Sequence, residues 1–130
     1  MYYFATYLKQ LNSKGEVKRF SRDEKGYAKV VDIRLGCSIW FHLIGDSLTV
    51  SLRISGASEK RYPAACGDAL GRFRKFFNNK VVMDTSRHSL NQTEFKRYYI
   101  DVTAHPDYKI IDILNKLKKE FAHVKNDNAR

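Results

Sequence analysis

Acidic residues are scarce in this chain. Against 24 Lys and Arg there are only 14 Asp and Glu, a formal net charge of +10 over 130 residues. That balance excludes an acidic, solvating disordered segment and makes a polyanion the first partner class to consider. Cysteine is nearly absent. Cys37 and Cys66 form no metal-ligand spacing and no disulfide framework. Each reads as a small semi-buried residue, and the pair fits a reducing, intracellular, cytoplasmic setting. No apolar run approaches the roughly 18 residues that span a bilayer, so no membrane partner is expected. The start Met1-Tyr2-Tyr3-Phe4 carries no basic n-region, so no signal peptide is expected. No cofactor or metal motif occurs, and the chain shows no internal repeat.

What is present suits one packed domain. Hydrophobic residues are 43% and aromatic residues 13%, enough for a single core at this length. The expected unit is residues 1–125, with a frayed polar tail over 126–130. The two prolines, Pro63 and Pro106, stand where helices should begin, because a proline N–H is not missed at a first helical position. The first expected helix covers 63–78 and sets Cys66, Ala69, Leu70, Phe73 and Phe77 on one face. Gly67 and Gly71, four apart on it, suggest a close backbone approach, and Asn78-Asn79 reads as its left-handed cap. The second covers 106–124, with Ile110, Ile113, Leu114, Leu117, Phe121 and Val124 in one stripe.

Between 29 and 54 the pattern alternates, as half-buried strands do. Gly45-Asp46 has the form of a type II′ hairpin loop. It pairs Leu43 with Leu48, Phe41 with Val50 and Ile39 with Leu52, apolar against apolar. For the preceding connection a two-residue loop would oppose Ile33 to Trp40. A three-residue loop, Gly36-Cys37-Ser38, instead pairs Leu35 with Ile39, Ile33 with Phe41 and Val31 with Leu43. Further strands are expected at the N-terminus (2–11 and 16–20) and at 81–84 and 95–102, with a polar loop over 85–93. The fold class is α+β: a mainly antiparallel sheet with two helices on one face. The core should hold Ile33, Leu35, Phe41, Leu43, Val50, Leu52, Leu70, Phe73, Phe77, Ile113, Leu114, Leu117 and Phe121.

If those strand residues face inward, their neighbours face out. The expected outer rows are Asp32, His42 and Thr49, then Arg34, Trp40 and Ser51, with Ser38 and Arg53 beyond. A tryptophan beside an arginine on an open sheet face is the equipment for stacking an unpaired base while holding its phosphate. A second signal is the charge run over 60–80, where Lys60, Arg61, Arg72, Arg74, Lys75 and Lys80 face one acid, Asp68. The candidate nucleic-acid-binding residues are therefore Arg34, Trp40, His42, Arg53, Lys60, Arg61, Arg72, Arg74, Lys75 and Lys80. The leading expectation is a small module for single-stranded or structured RNA or DNA. An alternative is an interaction or inhibitor protein docking on an acidic protein surface, since Tyr and Arg anchor such interfaces. A third is a metal-independent nuclease using His42 oriented by Asp32, or His88 beside Arg87, as general base. No catalytic constellation is legible, so an enzyme is the least favoured of the three.

Overall fold

The computed structural model describes residues 25–44, 47–87 and 94–128. Strands β1 (Lys25–Arg34), β2 (Cys37–Ile44) and β3 (Ser47–Ser55) come first, then helices α1 (Gly56–Arg61) and α2 (Pro63–Phe76). Strands β4 (Val82–Arg87) and β5 (Glu94–Asp101) follow, and α3 (Asp107–Asn128) closes the order. The sheet runs β1-β2-β3-β5-β4 with every neighbouring pair antiparallel. Strands β3 and β4 therefore run the same way, and joining them requires the long helical crossover of α1 and α2. This is the α+β arrangement expected from the pattern.

One face of the sheet carries the core. Ile39, Phe41, Leu48, Val50 and Leu52 are buried with Phe73, Phe77, Ile110, Leu114, Leu117 and Phe121 in a single cluster. Helix α3 lies against β1, while α1 and α2 lie against β3 and its surroundings. Phe73 and Phe77 meet edge to face with centroids 5.1 Å apart, a favoured aromatic geometry. Leu43, Leu70 and Ile113, expected in the core, are packed at its margin instead. The end of α2 is set by Asn78 and Asn79, both left-handed at φ 55° and 62°. Asn79 N–H donates to the Arg74 carbonyl at 2.8 Å, satisfying an orphan helix acceptor.

The β2–β3 register is the one the apolar pattern demanded, including Leu43 opposite Leu48 and Ile39 opposite Leu52. The Gly45-Asp46 turn itself, the two N-terminal strands and His88 lie outside the described residues. The β1–β2 register corrects the expectation. The connection is the two-residue turn Leu35-Gly36, with Arg34 opposite Cys37 and Val31 opposite Ile39. Register shifts between Lys29 and Val31, and between Asp32 and Arg34, insert Val30 and Ile33 as extra residues. Each bulge reverses the inside–outside parity. Two bulges thus accommodate a turn that simple alternation excluded. Leu35 is consequently 92% exposed in the turn rather than buried. Gly36 makes the turn possible: it sits at φ 81°, and a Cβ there would collide with the Ser55 hydroxyl.

Other boundaries differ too. Residues 56–61 form a helix of their own, capped by the Ser55 hydroxyl, which accepts from Ser58 N–H. Thr85, Ser86 and Arg87 belong to β4, not to the loop. Helix α3 continues to Asn128, through residues assigned to the tail. Among the described residues, added Cβ atoms at Gly67 and Gly71 would meet nothing, so no described backbone approaches there.

Candidate nucleic-acid interface

Among the described residues no helix covers the second face of the sheet. Its register places Lys29, Trp40, Ser51, Tyr99 and Val82 in one cross-strand row. The next row holds Asp32, Ser38, Arg53, Arg97 and Asp84. Trp40 is half-buried on β2, the second of the five strands. Its Nε1–H donates to the Ser38 hydroxyl at 2.8 Å, which fixes the ring's orientation. The Arg53 guanidinium lies 4.6 Å from the ring centre and the Lys29 ammonium 5.7 Å, both within cation–π reach. Arg53 also lies 5.4 Å from the Phe95 ring, so one guanidinium bridges two aromatic side chains. Beyond it, Arg97 is 4.3 Å from Tyr99 and grips Asp84 with two hydrogen bonds, 3.0 and 3.2 Å.

The expected partner of Trp40 is thus replaced. Arg34 is not beside it; the bulges carry Arg34 to the helix side of β1, where it stacks on Tyr62 at 4.2 Å. Lys29 takes its place, opposite Trp40 in the ladder. His42 and Asp32 are also separated. His42 stands opposite Thr49 and Tyr27, whereas Asp32 stands opposite Ser38, four residues along β2. At ~3.3 Å per residue that is about 13 Å, too far for the carboxylate to orient the imidazole. The Asp32-oriented histidine of the nuclease reading is absent.

The basic run over 60–80 is likewise divided. Lys60 and Arg61 are exposed at one end of α2, and Arg74, Lys75 and Lys80 at the other. The helix between them is about 20 Å long at 1.5 Å per residue. Arg72 is engaged by Asp68 at 2.9 Å and by Glu120 of α3 at 3.6 Å, so it ties the two helices together. Arg74 lies 5.5 Å from the Tyr98 ring. Lys96 is bound by Glu59 at 3.0 Å, and that hydrogen bond and charge hold its ammonium protonated to higher pH than usual.

Sequence reasoning missed Lys29, Phe95, Arg97 and Tyr99. Phe95, Arg97 and Tyr99 alternate along β5 and were legible as one face of a strand. Which sheet edge that strand joins was not. Comparison with protein-family models, curated proteins and solved structures found no match. No helix among the described residues is long and apolar enough to cross a membrane.

Proposed function

We propose that this protein binds single-stranded RNA or DNA on the sheet face that no described helix covers, stacking an unpaired base on Trp40. The observation that supports it is the position of Trp40, half-buried on β2 with Arg53 and Lys29 against its ring. A duplex hides its base faces inside its own stack, so an aromatic on a flat sheet reaches only unpaired bases. A stacking base displaces the Arg53 guanidinium from the ring and leaves it within reach of the same nucleotide's phosphate. Phe95 and Tyr99 extend the aromatic surface along the strand path. Charges of both signs alternate on the face itself, with Lys29, Arg53 and Arg97 set among Asp32, Asp84 and Asp101. Affinity there comes from stacking, while Lys60, Arg61, Arg74, Lys75 and Lys80 supply the longer-range attraction.

The test uses the chain's only tryptophan. A single-stranded oligonucleotide is titrated against its fluorescence, with the matching duplex as control. The single strand should quench Trp40 saturably, and the duplex should bind more weakly with little quenching. Equal binding of both forms, or binding with an unchanged emission, contradicts the reading.

A further inference from the structure

On the other side of the sheet, arginines from two elements converge on one ring. Arg34 ends β1 and places its guanidinium carbon 4.2 Å from the centre of Tyr62. Arg61 ends α1 and lies 5.5 Å from the same centre. The Arg34 Nε atom is buried and has no hydrogen-bond partner. A buried guanidinium N–H is costly without an acceptor, and folded proteins rarely leave one so. The carboxylate of Glu59, two residues before Arg61, is committed to Lys96. Neither Arg34 nor Arg61 is in an ion pair among the described residues.

Two guanidinium groups held by one aromatic, one with an unsatisfied N–H, call for a compact multi-oxygen anion. Planar forks of this kind match phosphate oxygens, whereas a chloride ion accepts without shape. The surroundings add favourable sign. Tyr62 is also the N-cap of α2, with no side-chain cap and no acid in the first turn. The arginine pair and the orphaned N–H mark the site; the helix end only reinforces it.

We propose that Arg34 and Arg61 form a clamp over Tyr62 for a phosphate group, either free phosphate or the terminal phosphate of a nucleotide chain. The clamp does not rest on the stacking face. It lies on the helix side of the sheet, and it survives if Trp40 binds nothing.

The experiment follows the arginine Nε–H resonances of the full chain by NMR while inorganic phosphate is added, with chloride at matched ionic strength as control. Arg34→Lys identifies the Arg34 signal by its loss. Phosphate should move that signal saturably in the unaltered protein and equally in Trp40→Ala. Arg61→Gln, at an exposed position that leaves the fold intact, should weaken phosphate about ten-fold, the worth of one charge-assisted hydrogen bond. A short oligonucleotide with and without a 5′ phosphate then separates the sources. Tighter binding of the phosphorylated form than of inorganic phosphate assigns the clamp to a strand end. Equal or weaker binding assigns it to free phosphate. A resonance unmoved by phosphate, moved equally by chloride, or titrating identically in Arg61→Gln overturns the proposal.

Discussion

Replacing Trp40 tests stacking and structure together, starting from three contacts of its ring. Trp40→Ala removes one hydrogen bond, Nε1–H to Ser38, worth about 1 kcal/mol net. It also removes contacts with Arg53 and Lys29, worth about 0.5–1 kcal/mol each where partly exposed. For the variant these contacts alone amount to about 2–3 kcal/mol, against a total of about 5–15 kcal/mol for a domain. Its melting temperature should fall by roughly 10 °C. Loss of the stacking ring should weaken a single strand by about 1–3 kcal/mol, or 5- to 150-fold. Trp40→Phe distinguishes the two effects. It keeps a ring and loses the hydrogen bond, so it should cost about 1 kcal/mol of stability yet retain most of the binding. Urea denaturation and fluorescence anisotropy of a labelled oligonucleotide measure the two quantities on the same preparations. If Ala binds as well as Trp, or if Phe and Ala bind alike, the ring at position 40 does not stack a base.

Three further outcomes test the fold and its core. Phe41→Ala should cost about 3–5 kcal/mol, since the side chain is wholly buried, while Leu35→Ser should change stability by less than about 0.5 kcal/mol. A large loss at Leu35 in urea denaturation would restore the unbulged register. Gly67→Ala and Gly71→Ala should each stabilise by up to about 1 kcal/mol, because the new methyl meets open space on an exposed helix face; destabilisation at either would show a hidden close contact. Burial pushes the Cys37 thiol up from 9.0 to about 12, with the neighbouring Cys66 thiol adding to it. The unfolded chain then loses that proton first, so this contribution to stability is intact below about pH 9 and declines as pH rises toward 12. Urea midpoints from pH 8 to 11 should fall more steeply for the unaltered chain than for Cys37→Ala, and parallel slopes would remove the effect.

Much of the architecture is legible in the amino-acid sequence. Pro63 and Pro106 with their apolar stripes announced two helices, because one buried face per 3.6 residues is a local property. The apolar alternation on β2 and β3 admits one register, since a one-residue slip would turn Phe41 and Val50 to solvent. The site was less legible. Arg34, Trp40, Arg53 and the cations over 60–80 were all singled out, but their grouping was wrong. Arg34 belongs with Arg61 at Tyr62, Lys29 with Trp40, and Arg72 with Asp68 and Glu120.

The division has one physical cause. Burial of apolar faces is written in periodicities of two and 3.6, and those determined the elements, the helix starts and the tightest hairpin. A bulge leaves no mark in that pattern, because it depends on whether a particular turn can be closed. Only a glycine closes it, because the backbone at Gly36 is left-handed and Ser55 at the end of β3 and Ser58 of α1 fill the space a Cβ would need. Two inserted residues then decided which cation stands beside Trp40. The order β3-β5-β4 decided that Phe95, Arg97 and Tyr99 share its face. The sequence alone determined what is buried; only the tertiary structure decided which exposed groups are neighbours, because pairing across strands and helices is a long-range choice made by the whole core at once.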